Sequence, residues 1–288
     1  LRKESGVSRE KASYELKVTL GEMLRGGVIF DVTSPHSARI AEDGGAVAVV
    51  ALEEGNEGRM ASPETIQKIQ EAVSIPVIAR CRIGHFVEAE VLEALFLDFI
   101  DESELLVPVD CENQIDKHQF RIPFICGCAT LGDALRRIQE GAALLRTLPS
   151  DLKGTVSQIR RLMGQLKSLK HMDRQELMAE ANRLMAPYSL VEQLAQSGTL
   201  PVPFFAFGGV ETPADVALLM RLGVSSVFLN HKVFEEKEAL KKVKALTGAV
   251  HHHKESEMLV DLSSGILEKN LEVQELKQQE LLSQKREW

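Results

Sequence analysis

A chain of 288 residues, 44% of them hydrophobic and 26% charged, can bury one large core or two small ones. Its formal net charge of -8 argues against a nucleic-acid or anionic-membrane partner, because both need a basic face. No apolar run approaches the roughly 18–20 residues of a membrane span. The four cysteines (Cys81, Cys111, Cys126 and Cys128) follow neither disulfide nor zinc spacing, which suits a protein of the reducing cytoplasm.

The first thirteen residues, LRKESGVSREKAS, are polar and read as a disordered tail. From Val28 onward one unit repeats: a short apolar run, a polar or glycine-containing loop, then an amphipathic helix. The apolar runs are Val28–Val32, Ala46–Leu52, Ile75–Ala79, Leu97–Asp101, Pro123–Gly127, Ala143–Arg146, Pro203–Phe207 and Ser226–Leu229. Continuous apolar strands without alternation are buried on both faces, as in parallel sheets. Several intervening segments open on Ser-Pro, Thr-Pro or another threonine cap, and several close on glycine. Eight such strands alternating with helices predict a (β/α)8 TIM barrel, a single α/β domain over residues 14–253. A doubly wound sheet is the alternative, but the GxGxxG loop that marks it is absent. Two segments stand outside the repeat: a helical insertion at Lys153–Ser197 after the sixth strand, and a charged helical tail over residues 254–288. His251–His253 is not read as a metal site, because adjacent helical residues point in different directions.

The working end of such a barrel is the carboxyl end of its strands. The residues placed there are Asp31, Glu53, Arg80, Asp101, Glu102, Glu104, Arg146, Gly208–Gly209 and Asn230–His231–Lys232. Spacing alone leaves two readings open for the charged ones: a polar catalytic mouth, or structural ion pairs. In FGGVETPAD, paired glycines before a helix start can expose backbone N–H groups to an anion such as a phosphate.

Several stretches, MLRGGVIFDV, ARIAEDGGAVAVVALE, RIGHFVEAEVLEAL, DFIDESE, PFICGC, RRIQEGAALLRT and FGGVETPADVALLM, together resemble the synthase subunit of pyridoxal 5′-phosphate synthase, the PdxS/SNZ family. The resemblance runs from about Tyr14 to Ser264. It implies a (β/α)8 barrel assembling into hexamer rings and dodecamers, with a glutaminase partner (PdxT) that supplies ammonia. Active members condense ribose 5-phosphate, ammonia and glyceraldehyde 3-phosphate. They need no separate organic cofactor, because lysine amines carry the intermediates as imines.

Residue by residue, the resemblance implies that Asp31, Asp101, Arg146 and His85 are retained family positions. The family's first imine lysine falls on Arg80, and its second, after Leu-Arg-Thr, falls on Leu148. A guanidinium stays protonated with delocalised lone pairs, and a leucine has no nucleophile, so neither can tether a sugar carbon. The phosphate contacts at Gly208 and Gly209 are kept, but the family's Gly-Ser-Gly after the eighth strand reads Asn230-His231-Lys232. The loop ALEEGNEGRM is also shorter than the family's. These departures lead us to expect a catalytically inactive member that assembles with active synthase subunits, and with the glutaminase if that contact survives. Two other readings remain: an active synthase using Lys153 or Lys232 as substitute amine, or a sensor holding a sugar phosphate through Arg80, Arg146 and the two glycines.

Overall fold

The computed structural model describes residues 14–55 and 58–264. Its strands are β1 (Val28–Val32), β2 (Ala48–Ala51), β3 (Val77–Arg82), β4 (Phe99–Ser103), β5 (Phe124–Cys128), β6 (Leu144–Thr147), β7 (Phe204–Phe207) and β8 (Ser226–Leu229). Each pairs in parallel with the next, and β8 returns to β1, so the sheet closes into the predicted barrel.

The helices are α1 (residues 14–22), α2 (Pro35–Asp43), α3 (Pro63–Gln70), α4 (Phe86–Ala94), α5 (Leu131–Gln139), α6 (Leu152–Leu169), α7 (Arg174–Leu184), α8 (Tyr188–Ser197), α9 (Pro213–Arg221), α10 (Ala239–His251) and α11 (Ser256–Ser263). Ser34, Ser62, Thr130 and Thr212 cap α2, α3, α5 and α9 by accepting a backbone N–H three residues on. Such caps contribute about 1 kcal/mol each and set where each helix begins. The insertion after β6 is three helices, α6 to α8. Between β4 and β5 there is only a short 3-10 turn, Lys117–Gln119, where a regular barrel would place a helix.

Two strands run two or more residues past their expected ends. β3 begins two residues later than expected and runs on to Arg82, and β4 runs on to Ser103. The cause lies in the pairing: Arg80 stands beside Asp101 and Arg82 beside Ser103, while the Arg82 N–H donates to the Glu88 carboxylate, which anchors the strand end to α4. Arg80 therefore lies within a strand, not in the loop that follows it.

Strand alternation divides the core in two. Ile29, Val50, Ile78, Phe99, Ile125, Leu144, Phe205 and Phe228 fill the barrel interior, with Leu24 packed against them. Residues of the other parity, such as Phe30, Val49, Ala79 and Ile100, meet the surrounding helices. α11 packs on α9 and α10. The rest of the expected tail, and the polar residues 1–13, lie outside the described residues. Among the described residues no helix is long and apolar enough to cross a membrane, and no group of His, Cys, Asp or Glu could hold a metal ion.

Candidate functional site

Asp31, Arg80, Asp101 and Arg146 each follow an interior residue by two positions, so all four point at the barrel axis one layer nearer the carboxyl mouth. Their charges meet there in a chain. Arg80 Nη2 donates to Asp31 Oδ1 at 2.6 Å, and Arg80 Nε to Asp101 Oδ2 at 3.2 Å. Arg146 Nη2 donates to Asp101 Oδ1 at 2.9 Å, to Ser103 Oγ at 3.0 Å and to Glu104 Oε2 at 3.0 Å. The Phe207 ring covers both guanidiniums, 5.7 Å from Arg80 and 5.5 Å from Arg146. The row runs Asp31, Arg80, Asp101, Arg146, Glu104, with every arginine flanked by carboxylates.

This arrangement is closed. Arg80 is 4% exposed and Arg146 and Asp101 are fully buried, so both arginines lie in buried ion pairs. Burial pushes the Asp31 carboxyl up, while the neighbouring Arg80 guanidinium pulls it back. Burial works against the charge on Arg146 too, but Asp101 and Glu104 outweigh it and hold the guanidinium firmly charged.

Other residues assigned to the mouth do different work. Glu102, one position after Asp101, points the opposite way; outside the sheet its carboxylate meets the buried Lys117 ammonium at 2.7 Å. Burial opposes the charge on Lys117, but Cys126, Glu102 and Glu140 raise its pKa above the ordinary lysine value. Glu53 accepts from the Ser62 and Thr65 hydroxyls and so supports the start of α3. His85 caps α4, its Nδ1 accepting from the Glu88 N–H at 3.2 Å. Leu148 is half-buried, with its N–H bonded to Gln158 Oε1 at 2.9 Å. Lys153 on α6 and Lys232 after β8 are both exposed.

The paired glycines have a packing reason of their own. Gly208 (φ +106) and Gly209 (φ +70) lie in the left-handed region, and a Cβ would sit 2.3 Å from Ser150 O at the first and 1.9 Å from Leu152 N at the second. The loop after β6 thus rests directly on their backbone. After β8, Asn230 caps the next turn by accepting the Lys232 N–H at 3.0 Å, which takes one backbone donor away from any anion. His231 Nδ1 is buried without a hydrogen-bond partner among the described residues. Above Phe207 and Phe228 a hollow of about 230 Å³ remains, lined by Leu105, Ser150, Gly208, Gly209 and Asn230 among others, and by no lysine among the described residues.

Three partners escaped the sequence reading. Phe207 looks like any strand residue, and only its parity with Phe205 signals that it faces inward. Ser103 shares the parity of Asp101. The Glu102–Lys117 pair carries no local signal, since the long connection from β4 to the 3-10 turn brings Lys117 back to the sheet.

Comparison with known proteins places this architecture. The pattern of the SOR/SNZ family matches residues 13–207. The chain is 51% identical to a pyridoxal 5′-phosphate synthase subunit PdxS of Protochlamydia amoebophila, over 96% of this chain and 97% of that one. The chain belongs to the SOR/SNZ family. Other relatives of this SOR/SNZ member include a PdxS subunit of Roseiflexus sp., 46% identical over 96% of this chain and 99% of that one. A probable pyridoxal 5′-phosphate synthase subunit of Hevea brasiliensis is 48% identical over 89% of this chain and 87% of that one. Among solved structures, a thiamine phosphate pyrophosphorylase of Pyrococcus furiosus superposes with a TM-score of 0.51 at 16% identity, over 81% of this chain and 98% of that one; the likeness concerns the fold alone.

Proposed function

We propose that this SOR/SNZ chain is a non-catalytic subunit in pyridoxal 5′-phosphate biosynthesis, one that assembles with active synthase subunits and stabilises them. The observation that carries this reading is Arg80. At the position that resembles the imine-forming lysine stands a guanidinium locked between Asp31 and Asp101. Imine formation requires an amine lone pair to add to the sugar carbonyl, followed by loss of water. The guanidinium offers no such lone pair, and it is engaged by Asp31 and Asp101 through Nη2 and Nε. Leu148, at the second lysine position, offers none either. Gly208, Gly209, Asn230 and His231 are the remnant of a phosphate site, and a sugar phosphate held there would have no amine beside it.

The high identity to PdxS subunits over nearly the whole chain favours a second reading, an active synthase acting on ribose 5-phosphate, glyceraldehyde 3-phosphate and ammonia from a glutaminase. It would have to draw its amine from Lys153 or Lys232, both exposed and outside the charged row. Mass spectrometry after incubation with ribose 5-phosphate separates the two. We expect no adduct on the parent chain, and a lysine adduct would establish the active reading. Co-expression with an active family member tests the partner role: mixed oligomers are expected, and two separate homo-oligomers with unchanged activity would refute it. A pull-down with the glutaminase subunit tests that further contact.

A further inference from the structure

Where a regular barrel would cover β4 and β5 with a helix, this chain places a buried charge cluster. Lys117, fully buried, sends its ammonium to Glu102 Oε2 at 2.7 Å, to Glu140 Oε2 at 3.3 Å and to the Ile115 carbonyl at 2.9 Å. Hydrogen-bonded ion pairs are directional, unlike apolar packing, so they fix the place of both partners. The backbone of Lys117 is held too. Its N–H donates to Glu140 O at 3.1 Å, and its carbonyl accepts from Lys17 Nζ at 3.0 Å. Lys17 belongs to α1; its ammonium also donates to the Phe120 carbonyl, is buried, and has no carboxylate in ion-pair reach among the described residues. An ammonium buried against carbonyls needs them to converge on it, which ties the seating of α1 to the shape of the Lys117–Phe120 turn.

The other oxygen of Glu102 faces the mouth. Oε1 accepts the Gly84 N–H at 3.0 Å and the Ile115 N–H at 3.2 Å. Gly84 lies in the turn from β3 to α4, and that turn has little freedom. Its φ is +75, and a Cβ there would meet Asp110 Cβ at 2.6 Å. On the inner face of β4, Asp101 and Ser103 both bond Arg146, so Glu102 sits on a strand end that is gripped from two sides. A contiguous path therefore runs from Lys17, at the amino ends of the strands, through Lys117 and Glu102 to Gly84 at the carboxyl mouth. Its three side chains are all buried, so no link is exchanged for water.

We propose that α1 and the Gly84 turn are coupled through the Glu102–Lys117 pair, so that a change in how α1 seats is transmitted across the barrel to the turn that starts α4. Buried hydrogen-bond and ion-pair networks carry such coupling, and it is reciprocal. Losing the Lys17 ammonium lets the Lys117–Phe120 turn relax, which moves the Lys117 side chain on Glu102 and frees the Gly84 N–H. Losing the Glu102 charge leaves the Lys117 ammonium to Glu140 alone, which moves the carbonyls that hold Lys17. Glu102 and Lys117 are positioning residues in this scheme. The coupling belongs to the frame of the barrel and does not depend on whether the chain forms an imine.

Hydrogen exchange of the full chain, read by mass spectrometry, tests this. In Lys17→Met the Gly84 and Ile115 amides should exchange about tenfold faster than in the parent, while amides of β7 and β8 keep their rates. In Glu102→Gln the amides of α1 should speed up as well. Lys17→Gln, which keeps a donor for one carbonyl, takes the place of Lys17→Met if that variant does not fold. Arg25→Ser is the control: it removes the 2.6 Å contact from Arg25 Nη1 to Ser225 Oγ, just past α1 and off the path, and should leave Gly84 unchanged. In urea unfolding, Lys17→Met and Glu102→Gln together should shift the folding equilibrium about tenfold less than their separate effects multiplied. Unchanged exchange at Gly84 in both Lys17 variants, an equal rise in β7 and β8, faster exchange at Gly84 in Arg25→Ser, or independent effects in the double variant would each overturn the proposal.

Discussion

Replacing Arg80 by Met tests whether the charged row is a closed structural device. The change keeps comparable bulk but removes the guanidinium from Asp31, which is 2% exposed and has no other ion-pair partner than the 2.6 Å contact to Arg80 among the described residues. Asp101 keeps Arg146, so the damage concentrates on Asp31. Breaking a buried pair on one side costs about 3–5 kcal/mol. For a chain of this length that corresponds to a fall of roughly 6–10 °C in melting temperature. The sign of the pH dependence follows from the carboxyl. Burial already raises the Asp31 pKa, and Arg80 is what pulls it back; without Arg80 it must rise further. A group whose folded-state pKa exceeds the unfolded value of about 3.9 favours folding in its protonated form, so stability is retained below that value and lost as pH rises through the folded pKa. The variant should therefore melt close to the parent near pH 4 and far below it at pH 8. Adding Asp31→Asn should recover most of the loss at pH 8, since a neutral pair needs no counter-charge. Thermal unfolding across that range is the assay. A single variant that melts within about 1 °C of the parent at pH 8, or a double variant no better than the single, would refute the reasoning.

Other expectations follow from the same structure. Gly208→Ala should destabilise by about 2 kcal/mol or more, because its φ of +106 and the Ser150 carbonyl both oppose a Cβ; Gly164→Ala in α6, where a Cβ meets nothing within 4 Å, should instead gain about 0.5–1 kcal/mol, and urea unfolding distinguishes the two. Lys117 has a raised folded-state pKa, so its contribution is fully present below the unfolded value of about 10.4 and lost as pH climbs above it. Tyr14, pushed up to about 12 chiefly by burial, loses its contribution over the same alkaline range. The parent's melting temperature should thus drop steeply above pH 10, and Lys117→Met should drop less steeply over that interval; equal slopes would count against the buried ammonium.

The site was half legible before folding. That Arg80 and Leu148 stand where the resemblance places lysines could be read directly, since residue identity needs no geometry. Glu102 lies two residues from Glu104 and next to Asp101, and proximity in the chain alone places it at the mouth. The two-residue period of the strand turns it outward to Lys117. Gly208 and Gly209 read as an anion cradle, yet the backbone of the loop after β6 already demands glycine at both.

Local order, then, was written in the residues: buried strands of continuous apolar character, threonine and serine caps, and an alternation of strands and helices that points to a parallel barrel. Those signals are short-range, and each acts within one turn or one strand. Barrel closure decided the rest. Only when eight strands share one axis do Asp31, Arg80, Asp101 and Arg146, spread over more than a hundred residues, meet in one layer beneath Phe207. Whether a buried charge is open to a ligand or already satisfied depends on which distant partner that closure brings to it, and no stretch of neighbouring residues contains that information.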